Sequence, residues 1–102
     1  MTLSERVLLT LICEAALESR LIKDLEHLQV SGWTISDARG RGTRGIRRSA
    51  WDNEGNIRVE VVCGEDMATQ LLEHFSTRYY PDFAMICFLS RVSVMRADKF
   101  NP

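Results

Sequence analysis

Val7-Leu8-Leu9-Thr10-Leu11-Ile12-Cys13 is aliphatic and β-branched with little polar interruption. Such a run predicts a strand buried on both faces. The period then changes. From Glu14 to Leu28 the apolar residues Leu17, Leu21, Leu25 and Leu28 recur at helical spacing, while Glu18, Lys23, Asp24 and Glu26 fall on the other side, the signature of a helix packed along one stripe. Ser31-Gly32 is expected to end that helix, with glycine supplying a positive φ. Trp33 to Arg39 alternates with period two and predicts a second strand running straight into Gly40-Arg41-Gly42-Thr43-Arg44-Gly45. A polar loop continues to about Gly55, and Ile57 to Cys63 alternates again as a third strand. Gly64-Glu65-Asp66 opens a second helix whose stripe is Met67, Ala68, Leu71, Leu72, Phe75 and Tyr79, and the two acids suit its positive N-terminal end. Tyr80-Pro81-Asp82 breaks that helix, Phe83 to Met95 predicts a last strand, and Ala97 to Pro102 reads as a loose tail.

The order strand, helix, strand, strand, helix, strand is the α+β, ferredoxin-like βαββαβ plan, one antiparallel sheet with both helices on one face. The last strand is apolar on both sides: Met85, Cys87 and Leu89 point one way, Ala84, Ile86, Phe88 and Val92 the other. In the first strand, Leu8 and Ile12 likewise oppose Val7, Leu9 and Leu11. Two helices cover one face only. An apolar sheet face of several hundred Å2 exceeds the usual patch on a monomer, so self-association is expected to cover it.

At 102 residues the chain is read as a single domain, 1–102, with the loop at about 40–55. A content of 45% hydrophobic and 26% charged residues belongs to a globular protein and excludes disordered and fibrous classes. The net charge of −1 hides a local imbalance, since Arg39, Arg41, Arg44, Arg47 and Arg48 crowd one short stretch. The start of the chain lacks a signal-peptide pattern, and no segment approaches the ~20 apolar residues of a membrane span, so the expected location is cytoplasmic, with peripheral membrane contact at most. Cys13, Cys63 and Cys87 are odd in number and set in apolar runs, which fits buried thiols rather than disulfides or a metal cluster. His27 and His74 have no second ligand at productive spacing and are read as surface residues. Arg58 and Glu60 are read as an outward-facing cross-strand ion pair. No catalytic constellation can be assembled from the sequence, so an enzyme is not expected and no catalytic or metal residue is assigned.

Gly40-x-Gly42-x-x-Gly45 has the spelling of part of a phosphate-binding turn, but it follows a strand and no helical pattern follows it, which excludes a dinucleotide fold. The glycines still let consecutive amides turn inward on an anion. Arg41, Arg44, Arg47 and Arg48 add forked donors, each charged hydrogen bond contributing about 1.5–3 kcal/mol. On chemistry alone three readings stay open: a merely solvated loop, a nucleotide or small-anion site, and a nucleic-acid contact. Trp51 is the only aromatic residue in the loop. A stacking nucleic-acid platform calls for several, so no nucleic-acid partner is expected.

Gly32-Trp33-Thr34-Ile35-Ser36-Asp37-Ala38-Arg39-Gly40-Arg41-Gly42 resembles the second strand and T-loop base of P-II signalling proteins. Gly40-Arg41-Gly42-Thr43-Arg44-Gly45-Ile46-Arg47 is similar to the bicarbonate-transporter-associated and carboxysome-associated P-II-like branch, as is Tyr80-Pro81-Asp82-Phe83-Ala84. The resemblance implies a homotrimer with three inter-subunit clefts. It implies regulatory binding of ADP or AMP, with ATP or cyclic AMP as alternatives, and of bicarbonate, the state being signalled to a partner such as a bicarbonate transporter or carboxysome-related protein. Within it, Thr34 contacts the adenine side, Gly40, Gly42 and Thr43 shape the loop base, and Arg44 and Arg47 meet phosphate. Val61 and Val62 lie near the base, while Ala84, Met85 and Ile86 line the cleft from the neighbouring strand. Bicarbonate falls to Arg41, Gly42, Thr43 and Arg44.

The chain departs from its nitrogen-sensing relatives in showing no counterpart of the loop tyrosine used for uridylylation, nor of the Gln-Lys pair that serves 2-oxoglutarate. It ends on Lys99-Phe100-Asn101-Pro102 instead of the Cys-Gly-Pro-x-Gly-Cys hairpin of some transporter-associated members. The competing readings are a nucleic-acid or other anion-binding ferredoxin-like module and a trimeric metal-tolerance-type protein.

Overall fold

A computed structural model describes residues 1–40 and 55–101. The strands are β1 (Ser4–Glu14), β2 (Thr34–Ala38), β3 (Asn56–Cys63) and β4 (Ile86–Val94), and the helices are α1 (Glu18–His27) and α2 (Glu65–Arg78). Short 3-10 turns follow β1 at Ala15–Leu17 and β4 at Ala97–Phe100. The four strands form one sheet in the order β2-β3-β1-β4, every pair antiparallel. This is the ferredoxin-like plan expected from the order of elements.

Register explains the core. Val7, Leu9, Leu11 and Cys13 of β1 stand opposite Cys63, Val61, Val59 and Ile57 of β3, so each cross-strand pair on that face is apolar. All eight are buried under the helices, together with Leu17, Leu21, Leu25, Met67, Ala68, Leu71, Phe75 and Tyr79. Burying a Leu, Val or Phe of this kind contributes about 1.5–3 kcal/mol. A one-residue slip would carry the β1 set to the other face, so this pattern fixes the pairing.

Element ends depart from the sequence pattern: β1 starts earlier, at Ser4, and runs through Glu14, and α1 starts only at Glu18, after the 3-10 turn. Helix α1 is closed by Gln29 at φ 65°, not by Gly32. The Gln29 amide bonds Glu26 O and the Val30 amide bonds Leu25 O, the two hydrogen bonds of a Schellman cap. Residues 83–85 do not continue β4 backwards, because the carbonyl of Tyr79 accepts the amides of both Asp82 and Phe83 and folds the chain into a turn around Pro81. Residues 97–101 do not form a loose tail. Arg96 takes a left-handed conformation at φ 56°, and the 3-10 turn after it packs back onto the molecule.

The face away from the helices carries Leu8, Thr10 and Ile12 of β1, Arg58, Glu60 and Val62 of β3, and Ile86, Phe88 and Val92 of β4. Ile86 is 56% and Phe88 47% exposed, so along β4 this face is apolar and open within one chain. Among the described residues no helix is long and apolar enough to cross a membrane.

Candidate functional site

One end of the open face is hollowed into a groove of about 420 Å3 lined by Leu8, Ser31-Gly32-Trp33-Thr34, Glu60, Val62, Lys99 and Phe100. The volume falls within the range of small-molecule sites. Its residues come from four places in the chain, and the sheet register brings them together. Thr34 stands opposite Glu60, Glu60 opposite Thr10, and Leu8 opposite Val62. Leu8 and Val62 supply apolar surface, Trp33 and Phe100 aromatic surface for a flat ring, and Thr34, Glu60 and Lys99 polar groups. Glu60 also pairs with Arg58, 3.4 Å away and two residues earlier in the same strand, so the pair seen in the sequence lies along β3 and not across strands. The Ser31 hydroxyl donates to Lys99 O at 3.4 Å, tying the approach to β2 to the C-terminal turn.

Of the sequence-assigned residues, Thr34 and Val62 line the groove. Val61 faces the opposite way and is 1% exposed beneath the helices. Gly40 lies six residues beyond Thr34 in the loop direction, about 20 Å in an extended chain. Ile86 is opposite Ile12, four residues along β1 from Leu8 and about 13 Å from the groove, on the same open face. Met85 packs against the core, and Ala84 is half-buried. The structure therefore does not bring Ala84, Met85 and Ile86 to the groove of their own chain. Arg41, Gly42, Thr43, Arg44 and Arg47 lie outside the described residues, as does the rest of the loop between Gly40 and Gly55.

Sequence reasoning did not assign Leu8, Trp33, Glu60, Lys99 or Phe100 to a site. The usable signal was parity: Leu8, Glu60 and Val62 alternate with the core residues and had to share the open face. Nothing comparable marked Lys99 and Phe100.

The helix face carries a different cluster. Oδ2 of Asp24 accepts the Tyr79 hydroxyl at 2.5 Å and lies 2.9 Å from Nε2 of His74. The Arg20 guanidinium sits 4.4 Å above the Tyr79 ring. Burial alone would raise the Asp24 pKa, but the hydrogen bonds from Tyr79 and His74 and the charges of His74 and Arg20 outweigh it and hold the carboxyl below its ordinary value. Burial, and then the Asp24 hydrogen bond, push the Tyr79 hydroxyl upward. His74 is thus a partly buried link between the two helices rather than the surface residue its spacing suggested. No group of His, Cys, Asp and Glu able to hold a metal occurs among the described residues.

Comparison with known proteins gives the same fold throughout. A PII-like signalling protein from Thermus thermophilus is 37% identical, with a TM-score of 0.83 over 98% of this chain and 99% of that one. CPII of Thiomonas intermedia, a nitrogen regulatory PII-like protein, was solved with ADP, AMP and bicarbonate. It superposes with a TM-score of 0.85 at 23% identity, over 99% of this chain and 98% of that one. The same protein with ADP, AMP and acetate gives 0.85 at 22% identity over the whole of both chains. The family model for nitrogen regulatory protein P-II matches residues 6–99. With nearly its whole length inside that match, the chain belongs to the P-II family.

Proposed function

We propose that this chain is a regulatory protein of the PII-like kind that binds an adenine nucleotide, ADP or AMP, in the open-face groove. The observation that carries this reading is the groove itself, where aromatic and apolar surface from Trp33, Phe100, Leu8 and Val62 surrounds a few polar groups on Thr34, Glu60 and Lys99. That composition suits a base and sugar, and micromolar affinity needs only about 8 kcal/mol net. The ADP and AMP held by CPII support the choice of ligand.

The distance between groove and loop base favours a site shared between copies. Thr34 and Gly40 are about 20 Å apart along one chain, so one chain's groove is best completed by another copy's loop base. A cyclic homotrimer would do this and would also cover Ile86 and Phe88. In that assembly Ala84, Met85 and Ile86 approach the cleft from a neighbour, and Arg44 and Arg47 meet phosphate. Bicarbonate sits at Arg41, Gly42, Thr43 and Arg44, a reading supported by the bicarbonate bound to CPII and by the donor chemistry of arginine and glycine amides. The loop then reports inorganic-carbon or energy status to a partner such as a bicarbonate transporter or carboxysome-related protein. The role is regulatory, not catalytic.

The test is calorimetric titration of the full chain with ADP, AMP, ATP and cyclic AMP, with and without bicarbonate. ADP or AMP binds with micromolar affinity, bicarbonate changes that affinity, and Arg44→Ala or Arg47→Ala weakens it. Absence of heat from every nucleotide at millimolar concentration would overturn the reading.

A further inference from the structure

The outer wall of the groove is made by Lys99 and Phe100, which belong to a four-residue 3-10 turn that buries none of its own residues. It is joined to the end of β4 through Lys99 N to Arg96 O at 3.0 Å and has no side-chain cap. It is launched from Arg96 in a left-handed conformation that a residue with a Cβ adopts at a cost. A terminal segment of this kind frays unless other parts of the molecule tie it down.

Arg6 ties it at both ends. One terminal nitrogen, Nη2, donates to Ala97 O at 3.3 Å, where the turn begins, and to Asn101 Oδ1 at 2.8 Å, just after it ends. The other, Nη1, donates to Glu5 O at 2.8 Å, which fixes the guanidinium on the β1 backbone. Its Nε is buried and makes no hydrogen bond among the described residues. An unpaired buried donor is unfavourable, so the side chain is held there by what its outer nitrogens do. Arg6 stands two residues before Leu8 on the same side of β1, beside the groove but outside its lining.

We infer that Arg6 is a positioning residue for the groove, acting through the C-terminal turn, which it clamps so that Lys99 and Phe100 stand as the outer wall. The inference rests on nucleotide occupying the groove. It makes the tail part of the site and gives a residue at the start of the sheet control over affinity without touching ligand.

ADP titrations of full-length variants in a thermodynamic cycle test it. Arg6→Ala weakens ADP by about tenfold, a loss of one well-placed charged hydrogen bond's worth of ordering. Lys99→Ala/Phe100→Ala weakens it by at least as much, and adding Arg6→Ala to that background causes no further loss, because the wall it places is gone. Arg6→Lys, which keeps a donor toward the turn, recovers part of the affinity. Exchange of the Lys99 amide with solvent speeds up in Arg6→Ala while the amides of β3 are unchanged. Equal loss from Arg6→Ala in both backgrounds, or none in either, would overturn the inference and leave the nucleotide reading standing. Failure of the unaltered chain to bind ADP or AMP would overturn both.

Discussion

Removing the Tyr79 hydroxyl probes the link that joins the two helices. Tyr79 is fully buried, and its hydroxyl bonds the same Asp24 oxygen that faces His74. A hydrogen bond to a charged acceptor contributes about 1.5–3 kcal/mol. The Asp24 side chain is 25% exposed, so water can replace the lost donor, and Tyr79→Phe should cost about 1.5 kcal/mol, the low end of that range. Asp24→Ala is worse: it strands a buried hydroxyl and removes the partner of His74, for about 2–3 kcal/mol. If the contact carries the effect, the double variant is no less stable than Asp24→Ala alone, a coupling of about 1.5 kcal/mol. Urea unfolding at one fixed protein concentration measures it, since the proposed assembly would make stability depend on concentration. The pH dependence has a definite sign. The folded pKa of Asp24 lies below its unfolded value, so its contribution is complete above about pH 4 and is lost as pH falls through the folded value. Additive losses in the cycle, or an acid limb as steep in Asp24→Ala as in the unaltered chain, would refute the reasoning.

Three further outcomes follow from burial and exposure. Leu71→Ala, at a position with 0% exposure against the sheet, should cost about 2–5 kcal/mol in the same assay. Burial pushes the Cys87 thiol up to about 11 and the Cys63 thiol upward as well, so the folded protein should react with a disulfide reagent at pH 8 far more slowly than the urea-unfolded chain. Phe88→Asp places a charge on the exposed apolar part of the open face, along edge strand β4, and light scattering should show the proposed homotrimer shifted toward a monomer that keeps its circular dichroism spectrum.

The fold was legible because one sheet face and one stripe of each helix must be apolar. Leu17, Leu21 and Leu25, and Met67, Leu71 and Phe75, follow one period; Val59 and Val61 follow the other. Ends were less legible, because local hydrogen bonding sets them. Gln29 takes the left-handed position that Gly32 was expected to fill, and the Tyr79 carbonyl halts β4 before Ile86. The candidate groove was legible in part. Thr34 and Val62 were assigned through family resemblance, and both lie on the groove. Glu60 was seen only as half of an ion pair, because its place beside Thr34 depends on a register between residues 26 positions apart. The C-terminal turn was the least legible, since its anchors are Ser31, 68 positions from Lys99, and Arg6, 91 positions from Ala97. No local pattern encodes a contact of that separation.

The central claim, that the open-face groove holds an adenine nucleotide, is tested most directly by following backbone amide resonances during titration with ADP. The account predicts saturable shifts at Gly32, Trp33, Thr34, Glu60 and Val62, with the helix-face hollow at Leu28, Gln70, His74 and Thr77 unchanged. Shifts confined to that hollow, or none at saturating ADP, would contradict it.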